Sequence, residues 1–558
     1  MKKLSLAFLV SASVFTACKQ GEEKEIIPFI EGVPTIESVT DSLTKTNAIS
    51  AKWAVSNDEI LYAVDQEIDW KREFEIFRKS NVNQLRYKDA YTVSDETVGE
   101  IRTIAFTAKD KAQEIQLMEV RLKKGQIIYY EIQKSRDNVI SSANHKFVLD
   151  QNTYSFNINQ QIEDVFDNQQ YVQGNIIPHG NLWLGQFPLG EKMMPLQFVL
   201  DLENKMFHVK NGSELIGFND YRMLGDTLQF SSDFFDSHFL IHLTSDSTLF
   251  GKWINEKREN VRSYEFTAQK DIAYRFEARK LPTQNLTGKH TMYFYNQDGS
   301  IEDSTILKLN QNYHEVTGSV LTETGDYRFL EGVVRNDSLL LSTMDGTHAY
   351  LFEAAINGTE LSGNFYAGCC YQQSWSAKLG KTFEMRDPSN ITQLKEGAEV
   401  AFAFPDANGN MVSLNDEQFE GHPVIVTLMG TWCSNCLDEA IFLKEAQDLY
   451  GDKGLKIIGL DFELINDSAR AFTNIKRHQE SLSIDYPVLL ACLGSTKDKA
   501  AQQVPFLNGI YSYPTMIVLD KNHEVVKIHT GFNGPATGEE LYEVFRKEYL
   551  ELFGELVK

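Results

Sequence analysis

The chain has 558 residues, too many for one hydrophobic core, so we expect three or more domains. Its 78 Asp and Glu outnumber 54 Lys and Arg, and the resulting net charge of -24 repels nucleic-acid phosphates and anionic lipid surfaces. Composition therefore excludes nucleic acid as a partner. Six cysteines are too few for a chain of this size to be stabilised mainly by disulfide bonds.

The first 17 residues have the pattern of a secretory signal peptide, with two lysines before an apolar run that ends at Cys18. The run is too short to cross a bilayer as a helix. Because the break falls on a cysteine, the segment resembles a bacterial lipoprotein signal, which implies that Cys18 is acylated and becomes the mature N-terminus. Residues 18–29 then form a polar tether that resembles the acidic export signals of Bacteroidota lipoproteins. Ordinary cleavage, with Cys18 incidental, is the alternative.

The next two segments are predicted to be rich in β-structure. Residues 30–167 alternate apolar and polar side chains with little helical periodicity, which indicates a β-rich domain of unknown function. Residues 170–385 alternate too, and the pentapeptide Asp220–Leu224 recurs as Asp326–Leu330, which suggests two copies of one meander. Two such copies can close into an antiparallel barrel or pack as a sandwich. Chance similarity between two meanders is the alternative, and we find no catalytic motif in residues 30–167.

Residues 390–558 alternate strand and helix patterns, which predicts an α/β layered domain. Helices are expected after the first strand, up to residue 450, and around residues 467–480. The last helix is expected to open with Thr537 and Glu540 at capping-box spacing. The predicted strands are 422–429, 456–462, 487–491, 515–519 and 524–529.

The motif that carries chemistry is Cys433-Ser434-Asn435-Cys436. A strand before it and a helix that begins at it place Cys433 at a helix N-terminus, where free N–H groups and the helix dipole favour a thiolate. Cys436 lies nearly one turn later on the same face, close enough to attack a mixed disulfide formed on Cys433. The pair can therefore cycle between dithiol and disulfide while it exchanges electrons with a client.

The alternatives to a redox role for this motif are a zinc site and a structural disulfide. A zinc site needs two further ligands, and the other close pair, Cys369-Cys370, lacks the usual ligand spacing, so we expect no metal. A structural disulfide in an oxidising compartment is the second alternative. The adjacent pair itself could relay electrons, form a vicinal disulfide, or simply have one cysteine buried and the other partly exposed. Cys492 is expected to be a buried strand residue.

Residues 396–552 resemble the TlpA and ResA group of thioredoxin-like thiol-disulfide oxidoreductases of the bacterial envelope. The resemblance implies a C-terminal thioredoxin-like fold whose only redox group is the disulfide Cys433–Cys436, with no separate cofactor. It rests on several motifs in order: Phe404-Pro405-Asp406, Gly430-Thr431-Trp432-Cys433 with Cys436, Glu439, Tyr513-Pro514-Thr515 and Gly531-Phe532.

The resemblance also implies roles for individual residues. Glu439 would relay protons as the second cysteine is deprotonated, and Thr427 stands where ordinary thioredoxins have a buried aspartate. Pro514 would be cis and hold the backbone of Tyr513 open for pairing with an extended client chain. Trp432 would form an aromatic wall over the motif. The alternatives are a solvated helix face for Glu439, a trans proline, and simple core packing for Trp432.

The sequence thus predicts a lipid-anchored envelope thiol-disulfide oxidoreductase. By resemblance it is a reductase of disulfides in envelope proteins, fed by a membrane thiol electron donor and held by its lipid on the periplasmic side or at the outer membrane. One alternative is a lipoprotein that binds a client or a glycan, with an accessory thioredoxin-like domain. The other is a thiol peroxidase, which is disfavoured because Thr431 lies two residues before Cys433 rather than three.

Overall fold

The computed structural model describes residues 28–56, 58–138, 141–162 and 166–558. The predicted signal peptide, Cys18 and most of the tether lie outside these described residues. The chain divides into two compact units, one that ends at Leu182 and includes Asp271–Tyr274, and one made of Trp183–Lys270 and Arg275–Lys558. In the described part of the chain, no helix has the length and apolar character needed to cross a membrane.

The first unit contains an antiparallel sheet of nine strands. Its strands are β1 (Ile49–Ser56), β2 (Glu59–Asp65), β3 (Tyr91–Val98), β4 (Ile101–Ala108), β5 (Ile115–Lys123), β6 (Gln126–Asp137), β7 (Ser141–Asp150), β8 (Thr153–Ile162) and β9 (Phe166–Ile177). They lie in the order β2-β1-β9-β8-β7-β6-β5-β4-β3, so the sheet continues past the predicted boundary at residue 167.

The first unit also contains helices that the sequence did not predict. They are α1 (Ile36–Lys45), α2 (Trp70–Glu73) and α3 (Glu75–Lys79), followed by a 3₁₀ turn at Leu85–Tyr87. Trp70 and Phe77 are almost fully buried and join the core that covers the sheet. The indole N–H of Trp70 donates to the carbonyl of Ala48 at 3.0 Å. Two of these helices are one turn long, too short for a helical period to show in the sequence.

The second unit begins with another antiparallel sheet of nine strands. These are β10 (Asn181–Leu189), β11 (Lys192–Asp201), β12 (Met206–Asn211), β13 (Glu214–Phe218), β14 (Asp220–Leu224), β15 (Thr227–Ser231), β16 (Ser237–Leu243), β17 (Thr248–Asn255) and β18 (Arg262–Lys270). Their order is β13-β12-β11-β10-β18-β17-β16-β15-β14. The core of this sheet contains a cluster of buried aromatic rings that includes Phe198, Phe207 and Phe239.

A third sheet, again of nine strands, follows in the same unit. Its strands are β19 (Gly288–Tyr295), β20 (Ile301–Asn312), β21 (Glu315–Thr322), β22 (Gly325–Asp326), β23 (Leu330–Arg335), β24 (Ser338–Met344), β25 (Ala349–Asn357), β26 (Glu360–Ala367) and β27 (Tyr371–Lys378). The order is β20-β19-β27-β26-β25-β24-β23-β21-β22, and an additional pairing of β20 with β21 closes the strands into a ring. The N-terminal two-thirds of the chain is therefore β-rich and includes a barrel-like sheet.

The second and third sheets share most of their strand order. In both, the first strand pairs with the last, and five strands then follow in reverse sequence order, β18 to β14 in the second sheet and β27 to β23 in the third. The repeated pentapeptides nevertheless occupy different settings: Asp220–Leu224 is a largely exposed edge strand, whereas Asp326–Leu330 is largely buried. The two-copy repeat stays a prediction, to which the matching strand order adds support.

The C-terminal part of the second unit has the predicted α/β layers. Its central strands are β30 (Val424–Met429), β31 (Lys456–Phe462), β32 (Val488–Cys492), β33 (Thr515–Leu519) and β34 (Val525–Thr530), after a hairpin of β28 (Ala403–Pro405) and β29 (Met411–Ser413). The helices are α4 (Ser434–Tyr450), α5 (Ser468–Leu482), α6 (Lys497–Gln503) and α7 (Val544–Leu556), with 3₁₀ turns at Pro388–Asn390, Gly451–Lys453 and Pro535–Thr537 and a π turn at Glu539–Glu543.

The sheet order β32-β31-β30-β33-β34 puts β30 at the centre, parallel to β31 and antiparallel to β33. Every residue of β30 is buried because helices or loops cover both faces, which explains the unbroken apolar run in the sequence. The predicted capping box at the last helix is wrong: the Thr537 hydroxyl donates to the Gly534 carbonyl at 2.7 Å, and α7 begins at Val544.

Candidate functional site

The two cysteines of the motif form a disulfide at the start of α4, with Cα atoms 5.2 Å apart. Cys433 is the N-cap residue, and its sulfur accepts the backbone N–H of Cys436 at 3.2 Å. Both residues are buried, at 7% and 2% exposure. The N-terminal end of the helix dipole thus lies at the sulfur of Cys433, where it stabilises a thiolate when the pair is reduced.

A loop before β33 faces this disulfide. The Tyr513–Pro514 peptide bond is cis, as predicted, and the Tyr513 carbonyl oxygen lies 3.6 Å from the sulfur of Cys433. The ring of Trp432 packs edge-on against the ring of Tyr513, with centroids 5.8 Å apart, and its indole N–H donates to the Phe462 carbonyl. The structure therefore brings together the predicted aromatic wall, the proline loop and the first cysteine.

Glu439 lies inside the domain, at 1% exposure, so the solvated helix face is excluded. The hydroxyl of Thr427 on β30 donates to one of its carboxyl oxygens. Burial raises the pKa of Glu439 to about 8, and the hydrogen bond from Thr427 offsets this only in part. At neutral pH the carboxyl group is therefore mostly protonated, the form from which it can supply a proton.

Two further buried acids, which the sequence analysis missed, contact the residue before Trp432. The backbone N–H of Thr431 donates to Asp461 at 3.2 Å, and the Thr431 hydroxyl donates to Glu463. Burial, with Glu463 nearby, raises the pKa of Asp461, and burial also raises that of Glu463. The signal was present as two carboxylates in alternate positions at the end of an apolar strand.

The third sheet also contacts the motif, an arrangement that no sequence pattern indicates. The Arg328 guanidinium donates to the Ser434 carbonyl at 2.8 Å, and the side-chain amide of Asn435 donates to the Asp326 carbonyl at 3.2 Å. The Thr347 hydroxyl donates to the Trp432 carbonyl at 3.1 Å. The residues between and beside the two cysteines are thus held by a domain other than the one that carries them.

The other cysteines among the described residues are free thiols. Cys369 and Cys370 are exposed in the turn between β26 and β27, with their sulfurs 2.7 Å apart. Cys492 is buried at the end of β32, as predicted. Within the described residues there is no group of three or more His, Cys, Asp and Glu side chains that could hold a metal ion.

Replacing Glu439 with glutamine is expected to make the domain more stable than wild type at high pH. The pKa of Glu439 is about 8 in the folded state, above the ordinary value of 4.5. Between these two pH values only the unfolded state loses its proton, so the free energy of unfolding of the wild type is highest at low pH and falls as the pH rises towards 8. The difference in unfolding free energy should therefore grow from near zero at low pH to as much as ~5 kcal/mol above pH 8.

Denaturant unfolding of Glu439→Gln and wild type across this pH range measures the difference. Glu417→Gln, at an exposed position of the same domain, is the matched control and should show no such trend. A difference that stays constant with pH would show that folding does not raise the pKa of Glu439.

Known proteins are similar to the C-terminal part of the chain, which carries Cys433 and Cys436. A family model described as Redoxin matches residues 395–544. The thiol-disulfide oxidoreductase ResA of Bacillus cereus (strain ATCC 10987 / NRS 248) is 27% identical over 173 residues, which cover 31% of this chain and 89% of the relative. ResA of Halalkalibacterium halodurans is 25% identical over 174 residues, 31% of this chain and 90% of the relative. A solved thiol-disulfide oxidoreductase from Bacteroides fragilis NCTC 9343 is 18% identical, with a TM-score of 0.20, over 26% of this chain and 96% of that chain.

Proposed function

Because residues 395–544 form a TlpA/ResA-like thioredoxin-fold domain of a thiol-disulfide oxidoreductase, we propose that this chain reduces disulfides in envelope proteins. The observation that supports this most directly is the Cys433–Cys436 disulfide at a helix N-terminus opposite the Tyr513–Pro514 loop. A helix N-terminus favours the attacking thiolate, and the backbone of the loop lies where a client chain has to approach the sulfur.

The exchange proceeds in two steps that conserve electrons. The Cys433 thiolate attacks one sulfur of the client disulfide, and the client's other sulfur leaves as a thiolate that takes up a proton. Cys436 then loses its proton and attacks the sulfur of Cys433, which releases the client's second cysteine. The client gains two electrons and becomes a dithiol, while the protein becomes the disulfide, which a membrane thiol electron donor reduces again.

Glu439 is proposed to accept the proton of Cys436 in the second step, in the molecules whose carboxyl is ionised. Its pKa of about 8 makes this buried carboxylate, three residues after Cys436 on α4, a stronger base than an ordinary glutamate. The resemblance to the TlpA and ResA group assigns the same task to this position.

The proposal includes attachment to the envelope through a lipid on Cys18. Its support is the signal pattern of residues 1–17 and the break at a cysteine. Mass spectrometry of the mature N-terminus tests it: a diacylglyceryl cysteine is expected, and an unmodified N-terminus after Cys18 or elsewhere would contradict it.

The peroxidase alternative finds no support in the geometry. A peroxidatic site needs a free hydroxyl beside the reactive cysteine, and the Thr431 hydroxyl donates to the buried Glu463 instead. The buried partner Cys436 also suits disulfide exchange.

The reductase proposal is tested with the pre-reduced protein and a peptide that carries one disulfide and a fluorophore. One peptide disulfide should be reduced for each protein disulfide formed, and hydrogen peroxide should be consumed no faster than by free glutathione. Rapid peroxide turnover without peptide reduction would overturn the proposal in favour of a peroxidase.

A further inference from the structure

Arg328, in the third sheet, is a buried cation whose hydrogen bonds end on the redox motif. The residue is 5% exposed and lies between β22 and β23, with a left-handed backbone (φ 54°). One guanidinium nitrogen donates to the Ser434 carbonyl at 2.8 Å and lies 2.9 Å from the carboxylate of Asp438. The other pairs with Glu214 at the start of β13.

These contacts place a positive charge beside the turn that contains both sulfurs. Ser434 directly follows Cys433, and Asp438 lies one turn further along α4. Burial alone would lower the pKa of Arg328, but Asp438, Glu214 and Asp345 together raise it, so the guanidinium is always charged. Because the surroundings exclude water, this charge is only weakly screened.

The acids around Arg328 make the local charge depend on pH. Burial, with Asp326 and Glu214 nearby, raises the pKa of Asp438 to about 7, although Arg328 opposes the shift. Burial also raises the pKa of Asp326, against hydrogen bonds from the backbone of Gly534 and Arg328. The phenol of Tyr542 also faces Asp438 and is neutral in this range. Although burial opposes it, His348 and Arg328 lower the pKa of Asp345, so that carboxylate stays charged. The negative charge around Arg328 therefore grows as the pH rises past 7 and Asp438 ionises.

We propose that Arg328 is a positioning residue for the dithiol, supplied by the third sheet, that stabilises the Cys433 thiolate and so favours the reduced form of the pair. Reduction takes two electrons and one proton to convert the disulfide into the Cys433 thiolate and the Cys436 thiol. A nearby cation lowers the free energy of that thiolate and leaves the uncharged disulfide almost unaffected. The inference rests on the proposed function, since it concerns the same cysteine pair.

Opposite charge changes at this site should move the redox equilibrium in opposite directions. At pH 8, Arg328→Gln should shift the equilibrium with glutathione about tenfold towards the disulfide, which lowers the midpoint by about 30 mV. Asp438→Asn removes a negative charge at the same site and should shift it several-fold towards the dithiol. At pH 5.5, where Asp438 is already protonated, Asp438→Asn should have almost no effect.

Two further variants separate charge from structure. Arg328→Lys keeps the positive charge and should stay within about threefold of the wild-type equilibrium, although it loses the paired donors of the guanidinium. Arg335→Gln is the same type of substitution at an exposed position of β23, and it should leave the equilibrium unchanged. Circular dichroism of each variant checks that the fold is intact.

The measurement is thiol trapping of the full soluble chain from residue 18 in glutathione buffers. Equal midpoints for wild type and Asp438→Asn at pH 8, or shifts of Arg328→Gln and Asp438→Asn in the same direction, would overturn the role of Arg328. If Arg328→Gln does not fold, Arg328→Lys and Asp438→Asn still test the effect of Arg328 on the redox equilibrium. Neither of these variants leaves a buried charge without a partner. A wild-type pair that fails to cycle would instead overturn the proposed function itself.

Discussion

Replacing Cys433 with serine is expected to lower the rate of disulfide reduction at least ~1000-fold. The sulfur of Cys433 lies at the N-terminus of α4, opposite the Tyr513 carbonyl, where an attacking thiolate is stabilised. A serine hydroxyl keeps its proton at neutral pH and does not displace a sulfur from a disulfide. The measurement is the initial rate of reduction of a fluorescent disulfide peptide by the pre-reduced protein.

The exposed thiols Cys369 and Cys370 provide the matched control for this loss. The double variant Cys369→Ser/Cys370→Ser should retain the wild-type rate, because these thiols lie in a turn of the third sheet and not at a helix N-terminus. If Cys433→Ser retained substantial activity and the double variant lost it, the reactive pair would be the adjacent one.

Replacing Cys436 with serine is expected to convert a reversible exchange into a stable adduct. Cys436 is 2% exposed and forms the disulfide with Cys433, and in the proposed mechanism it attacks the mixed disulfide on Cys433. Without it, the first step still occurs, but the client remains bound through its sulfur. One client molecule per chain should therefore accumulate, which non-reducing electrophoresis and intact-mass measurement can detect.

The same adduct gives access to the clients. Proteins from the envelope captured by Cys436→Ser should be released by dithiothreitol and should be absent when Cys433 is replaced as well. An adduct that resolves as fast as in the wild type would show that another group completes the exchange.

Local signals in the sequence accounted for much of the C-terminal domain. β31 and β33 occupy the predicted ranges because each is an apolar run bounded by polar or turn residues. The helix after the cysteines and the cis bond before Pro514 were also predicted, the latter from family resemblance. Each of these features depends on residues that are close together in sequence.

The parts of the site that the sequence did not predict depend on tertiary contacts. Arg328 and Ser434 are 106 positions apart, and Thr431 and Glu463 are 32 apart. Arg328 and Ser434 belong to different parts of the fold, whereas Thr431 and Glu463 follow the neighbouring strands β30 and β31, so spacing along the chain does not connect either pair. Arg328 lay inside the repeated pentapeptide, whose other copy is an exposed strand, and so looked like part of a repeat.

The central claim, that Cys433 and Cys436 form a reducing dithiol, is tested most directly by the midpoint potential of the pair. The full soluble chain is equilibrated in glutathione or dithiothreitol buffers and trapped with a thiol reagent that adds mass. We expect a two-electron transition that lies closer to about -270 mV than to about -120 mV. A pair that does not cycle, or a midpoint near the oxidising end, would contradict it.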